Sequence, residues 1–343
     1  MAVRERVRHT YERVRPWVPA VFFVGGFVWD ALTLSRVITS LDLVILLAYL
    51  AGAATILVAL ARGVAFRGSK YLNAVLQFFF GGIFSALFIF YFLSSSDLPG
   101  YAIVAVLAAL LIANEFLESR YSALTLSWTL FTMSATMFFN FAFAHLFRSI
   151  STFWFYLGSA VAAVMVLGLR RFSRSESVSI WPSMAVAALL VVLHAFNFIP
   201  PVPLVKKEIL IAHSVQKRES GYVAMVESPR WRFWRSSSPA FHWSEGDRVY
   251  CFTSVFIPNG IRTTIRHRWL YYDDAAGEWR NAGVVPFTIA GGRDTGYRGY
   301  TYKQRVTPGH WRVIAESESG AAIGIVDFRV SRGAAGKLKR LTL

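Results

Sequence analysis

A chain of 343 residues that is 55% hydrophobic and only 16% charged is too apolar for an ordinary soluble protein, in which about a quarter of residues carry charge. Nearly all of the apolar excess lies before Pro200, which excludes a simple pair of soluble domains and points to a membrane part followed by a smaller polar part. The formal charge is +16, and the single cysteine, Cys251, excludes an internal disulfide and reads as a small buried apolar residue.

The chain opens with a basic segment, residues 1–16, "MAVRERVRHTYERVRP". The apolar run that follows is too long for a secretory h-region and lacks a small-residue cleavage site, so it reads as an uncleaved first helix. Seven apolar runs are predicted to span the bilayer within residues 17–199: 17–35, 41–61, 71–93, 99–117, 123–147, 151–169 and 180–199. Each is close to the ~20 residues that a crossing needs. With the N-terminus inside, the inner segments hold twelve Lys or Arg (Arg4, Arg6, Arg8, Arg13, Arg15, Arg62, Arg67, Lys70, Arg120, Arg170, Arg171, Arg174). The outer loops before residue 200 hold only Arg36 and Arg148. That bias sets the orientation, and an odd number of spans delivers the C-terminal part outside; in a bacterium this is the periplasmic or outer face of the cytoplasmic membrane.

Ionisable and amide side chains inside a bilayer are functional candidates by default. At 1.5 Å per residue, Asp30, Asn140, His145, His194 and Asn197 fall in the outer third of helices that run in the same direction. They are expected to approach one another beneath the outer domain, with Arg36 and Arg148 above them as phosphate contacts. A second group, Asn73, Gln77, Glu115, Glu118 and Arg120, lies near the inner surface. Glu115 and Glu118 are three apart and so share a helical face, with Arg62 and Arg120 as expected partners. Helix-packing hydrogen bonds account for many such residues equally well.

Residues 200–208 form a proline-rich linker: Pro200, Pro201 and Pro203 stop the last helix and stiffen the exit. From 209 to 331 the apolar pattern changes to period two in short runs such as "RVYCFTSVFI", "RTTIRHRWLYY" and "HWRVIAES", separated by "PNG", "GGRDTG" and "TPG". This predicts an antiparallel, Ig-like β-sandwich with Trp269 and Trp311 in its core, followed by a basic tail, residues 332–343. From Pro200 onward there are 22 Lys or Arg against 12 Asp or Glu, a net charge of +10. Outside the cell this favours membrane lipids, an envelope glycan or an envelope protein as partner, and not nucleic acid. The stretch "SPRWRFWRSSSPAFHW", 228–243, interleaves Arg230, Arg232 and Arg235 with Trp231, Phe233 and Trp234. That composition suits a headgroup interface, with a core plug or a sugar-stacking surface as alternatives.

Enzyme motifs are absent: no phosphate-binding loop, no H-E-x-x-H, no G-x-S-x-G and no dinucleotide fingerprint. His213, His242, His267 and His310 have no metal-ligand spacing. No metal and no cofactor is expected. The sequence leans away from catalysis and toward an anchoring, assembly or sensing role. The alternative is a lipid-handling transporter or membrane enzyme centred on the outer polar group.

The blocks "HRW" at 267–269, "PGHWRV" at 308–313 and "GAAIGIVDFRV" at 320–330 resemble the bacterial domain of unknown function 2914. "WDALTLSR" at 29–36, "QFFFGGIFSALFIFYF" at 77–92, "NEFLESRYSALTLSW" at 114–128 and "FIPPVPLVKKEILIAHSV" at 198–215 are similar to the multi-pass membrane domain of unknown function 5924. The resemblance implies a membrane bundle followed by a β-rich outer domain, and it implies no activity.

Overall fold

The computed structural model describes residues 28, 39–64, 71–121, 123–174, 178–200, 204–218, 221–228, 238–256, 262–290 and 297–343. Among them are six α-helices, followed by a region of β-sheet. The helices are α1 (Ser40–Ala61), α2 (Leu72–Ser94), α3 (Leu98–Asn114), α4 (Leu124–Leu146), α5 (Thr152–Phe172) and α6 (Trp181–Ala195). They correspond to the second through seventh predicted spans; the first, 17–35, lies outside the described residues apart from Val28. Three helices, α1, α2 and α5, are long and apolar enough to cross a membrane. Helices α3 and α6 are apolar but shorter. Helix α4 has the length but carries Ser, Thr and Asn along a body that is buried on nearly every side.

The helix ends follow from local chemistry. Thr39 and Asp42 form a reciprocal capping box at the start of α1, with Thr39 N–H donating to Asp42 Oδ2 at 2.8 Å and Asp42 N–H to Thr39 Oγ1 at 3.3 Å. Asp97 caps α3 by accepting from Gly100 N–H at 2.9 Å. Arg148, Arg174 and Asn197, with φ of 51°, 57° and 58°, end α4, α5 and α6 in the left-handed conformation that usually selects glycine.

Close packing uses glycine where α1 meets α2. A Cβ on Gly82 would stand 2.4 Å from the Tyr49 ring, and one on Gly52 2.4 Å from the Phe79 ring, so at each glycine an aromatic ring of the other helix occupies the space that a side chain would need. Inside α4, Thr132 and Thr136 hydroxyls donate to the carbonyls of Trp128 and Thr132 at 2.7 and 2.9 Å. Their polarity is thus absorbed within the helix itself.

The chain divides into two compact units. One holds most of the helical residues. The other comprises residues 91–103, residues 143–154 and everything from Leu193 onward. Within this second unit the α2–α3 turn meets the strands directly: Ser96 Oγ donates to Ala322 O at 3.1 Å. Ile150, from the α4–α5 turn, packs against Leu204, Val255, Ile265 and Ile323.

The strands are β1 (Val205–Ala212), β2 (Ser214–Arg218), β3 (Gly221–Glu227), β4 (Ala240–Trp243), β5 (Val249–Phe256), β6 (Arg262–Asp273), β7 (Glu278–Ala290), β8 (Tyr297–Lys303), β9 (Gly309–Glu316), β10 (Ala322–Arg332) and β11 (Leu338–Thr342). They form three sheets, ordered β1-β5-β8, β4-β10-β9-β6-β7 and β11-β3-β2, where the sequence predicted a two-sheet sandwich. The reason is visible in β1 and β5, which are apolar on both faces. Ile211, Val249 and Cys251 join Trp269, Trp311, Val313 and Phe328 of the five-stranded sheet in one core. Leu210, Ala212 and Phe252 turn the other way, against Val215, Ala224 and Val226 of the third sheet. A strand buried on both faces belongs to a middle layer. The residues expected to form a basic tail supply β11, which pairs antiparallel with β3, Leu338 opposite Glu227 and Thr342 opposite Val223. Trp269 and Trp311, 1% and 3% exposed, are core, and Cys251 is fully buried.

Candidate functional site

Of the outer polar residues expected in the membrane, His145, His194 and Asn197 sit at helix ends. Asn140 is buried in α4, within the helical unit. His145 and His194 occupy the last turns of α4 and α6 and are half-buried. Asn197 is the residue that ends α6: its N–H donates to His194 O at 3.0 Å, and the next N–H, from Phe198, reaches Leu193 O at 2.8 Å. Arg148 does the same for α4, with Ser149 N–H donating to Ala144 O at 3.2 Å. Asn197 and Arg148 therefore have a complete structural role as helix stops. Asp30, Arg36, Arg230, Trp231, Arg232, Trp234 and Arg235 lie outside the described residues.

The inner group is reorganised around a residue that the sequence reading passed over. Gln77 Nε2 donates to Asn114 O at 3.0 Å and Glu115 O at 3.3 Å, and Asn114 Nδ2 donates back to Gln77 O at 3.1 Å. Tyr121 hydroxyl donates to Asn114 Oδ1. This reciprocal clamp ties α2 to the end of α3. Asn73 is one turn earlier on α2. Helix α3 stops at Asn114, so Glu115 and Glu118 do not share a helical face: tight turns and a short 3₁₀ segment, Glu118–Arg120, intervene. Glu118 and Arg120 are exposed. Arg62 serves neither carboxylate; it donates to Phe172 O at 2.6 Å and lies 4.0 Å over the Phe172 ring.

In the β-domain, strand alternation sorts side chains into a core face and an outer face of the five-stranded sheet. On the core face His267 is fully buried between Thr253 Oγ1 at 2.7 Å and Thr301 Oγ1 at 2.8 Å, and Trp269 Nε1 donates to Thr301 Oγ1 at 3.3 Å. Burial pulls the His267 imidazole down to about 3, so it is neutral and its two nitrogens are satisfied by hydroxyls that can each donate or accept. This is a structural histidine.

The outer face carries charge in a ladder. Arg268 grips Glu316 with two nitrogens, at 2.9 and 3.0 Å, and Arg266 Nε stands 3.5 Å from the same carboxylate. Glu316 is only 2% exposed. Its hydrogen bonds hold the Arg268 guanidinium above its ordinary range. Four residues earlier on β9, Arg312 pairs with Asp327 of β10 at 2.6 and 2.9 Å, and its guanidinium stacks 4.6 Å over the Trp279 ring. The ladder ends at a cleft of about 240 Å³ lined by Pro239, Trp279, His310, Trp311, Asp327, Phe328 and Arg329. Trp311 and Phe328 are buried, their rings in the core behind the sheet; His310, Asp327 and Arg329 are exposed on the rim of the cleft. Asp327 is paired, whereas Arg329 has no ion-pair partner among the described residues.

A second polar group gathers residues far apart in sequence. Glu227, at the end of β3, accepts from the ring nitrogens of His213 and His242, each at 2.8 Å, and from the His242 backbone N–H at 2.7 Å. Burial alone raises the Glu227 carboxyl. The backbone N–H and the two rings outweigh it and hold the group below its ordinary value. Ser238 N–H donates to the backbone carbonyl of Glu227 at 2.9 Å, which brings Ser238 beside this residue. Among the described residues no group of three His, Cys, Asp or Glu has the arrangement of a metal site; the histidines flank one carboxylate instead of facing a common point.

Residues 262–330 match the family described as Protein of unknown function (DUF2914). The match runs from β6 through β10, and so contains the arginine–carboxylate ladder and every lining residue of the cleft except Pro239. It does not extend into the helices, where the likeness to a membrane domain has no counterpart. No curated protein matches the chain. Among solved structures, a beta-glucosidase from Listeria innocua is similar over 38% of this chain at 9% identity and a TM-score of 0.20. The alkylpurine DNA glycosylase AlkC of Pseudomonas fluorescens aligns over 83% of this chain and 97% of its own, at 11% identity and a TM-score of 0.21. The chain spans 17% of the glucosidase's length. Scores this low carry no argument about fold or activity.

Proposed function

We propose that this is a multi-pass protein of the bacterial cytoplasmic membrane whose β-domain, on the outer side, binds an envelope glycan without chemical turnover. The twelve-to-two distribution of Lys and Arg supports the orientation. The observation that carries the binding reading is the cleft at the end of the DUF2914 ladder. It has a tryptophan wall, charged groups on its rim, and an exposed arginine with no ion-pair partner among the described residues. Aromatic walls suit the apolar faces of sugar rings, and a free guanidinium suits a carboxylate or phosphate substituent. At about 240 Å³ the cleft is smaller than the ~300–1,000 Å³ typical of sites for drug-sized ligands. It therefore takes an end group or a single ring of a polymer, not a whole lipid. The β-domain anchors this contact close to the bilayer and serves assembly or sensing.

The test is binding of the full chain in lipid nanodiscs to acidic and neutral envelope oligosaccharides. The acidic ones are expected to bind, and Trp279→Ala and Arg329→Gln each to weaken binding about tenfold, the loss of ~1.4 kcal/mol. Absence of glycan binding, or affinity unchanged in both variants, overturns the assignment.

A further inference from the structure

An open groove lies in the helical unit where α5 turns into α6. Its volume is about 790 Å³. One wall is a single face of α5: Val164, Leu167, Gly168 and Arg171 recur at i, i+3, i+4 and i+7. The opposite wall is the segment from Val178 to Trp181. We propose that this groove is a binding site for one anionic phospholipid of the inner leaflet.

Four observations converge on that occupant. First, the α5 wall is apolar and uncovered: Val164 is 68% and Leu167 48% exposed, on a helix long and apolar enough to cross a membrane. Hydrocarbon is what covers such a wall at bilayer depth. Second, the wall ends in charge. Arg170 is committed, since it donates to Val178 O and so holds the two walls together. Arg171 is exposed and has no ion-pair partner among the described residues, which leaves a cation where acyl chain gives way to headgroup. Third, Trp181 stands 78% exposed at the rim, the placement an indole takes at the membrane–water boundary. Fourth, Gly168 keeps the groove open: a Cβ there would meet no atom within 4 Å. A zwitterionic headgroup brings its own cation to compete with Arg171 for the phosphate, and a free phosphate leaves the apolar wall bare. A lipid phosphate with its upper acyl chain satisfies both.

The site is independent of the β-domain and its ligand; its leaflet follows the proposed orientation, and the site itself rests on α5 lying in the bilayer. Carbonate extraction of membranes holding the full chain decides that point separately. The test of the site is native mass spectrometry of the full chain released from detergent with phosphatidylglycerol, phosphatidylcholine or inorganic phosphate added. One phosphatidylglycerol is expected to be retained preferentially. Arg171→Gln is expected to lower its retention about tenfold, to the level of phosphatidylcholine. Gly168→Phe fills the groove from a position with free space, so it should abolish retention while leaving the thermal unfolding of the protein unchanged. Equal retention of the two lipids, wild-type retention in both variants, or displacement of phosphatidylglycerol by millimolar phosphate overturns the proposal.

Discussion

His267 offers a quantitative check on the buried polar network of the β-domain. It is 0% exposed, bonded to two threonine hydroxyls, and held neutral by burial with a folded-state pKa of about 3 against an ordinary 6.5. Between those values the unfolded chain binds a proton that the native chain refuses. Stability therefore rises with pH through this window and is unaffected above it. At pH 5, about 1.5 units below the unfolded value, the deficit is about 2 kcal/mol at ~1.36 kcal/mol per unit. His267→Leu removes the titration. It also leaves Thr253 and Thr301 without their partner, a cost of about 1–3 kcal/mol that does not depend on pH. Hydrogen exchange of peptides from β5, β6 and β8 in the full-length protein gives the opening free energy at pH 8 and pH 5. Intrinsic exchange rates cancel between wild type and variant. The wild type is expected to lose about 2 kcal/mol more than His267→Leu on going from pH 8 to pH 5. A pH-independent difference between the two would show that His267 is not held neutral, and the account of the network would fail with it.

Two further substitutions probe other layers. Glu316→Gln withdraws the carboxylate shared by Arg266 and Arg268; because both arginines keep partial access to water, with side chains 31% and 39% exposed, the expected loss of β-domain stability is about 1–3 kcal/mol, read by the same exchange experiment. Gly82→Leu drives a side chain into the Tyr49 ring, so the helical unit should lose thermal stability and folded yield in detergent, and a variant as stable as wild type would refute the close approach of α1 and α2.

The sequence made the helices legible because runs of ~20 apolar residues have few other uses; from α1 onward each predicted span has an observed helix. It misplaced the end of α3, since charges three apart suggest a continuing helical face, whereas Asn114 and its clamp to Gln77 stop the helix before Glu115. Asn114 could have been suspected as a lone amide closing an apolar run. Period-two alternation correctly separated Trp269 and Trp311 from Arg266 and Arg268. What alternation cannot report is how many sheets share a strand. "VKKEILIA" is apolar at both Ile209 and Leu210, and this doubling was the available sign of a middle layer. The His213–Glu227–His242 group was invisible for a different reason. Its members come from a loop and two strands of different sheets with no fixed spacing, and only the approach of β4 to β3 brings them together. The cleft was equally hidden, as β4 pairs parallel with β10 and brings Pro239 beside residues about ninety positions away.

The middle placement of β1 sets the order in which the domain can be made. Its Ile211 shares a core with Phe328 and Val330, which are the last apolar contributions to that core to be synthesised. Contacts of such long sequence separation form slowly. β1 leaves the last helix first, yet it must wait, extended and apolar on both faces, until β5 and then β10 arrive. Until then the nascent domain presents adhesive strand to anything nearby. Closure of this core thus waits until residue 330 has been made, and premature termination anywhere before it leaves an unclosed fragment for quality-control proteolysis.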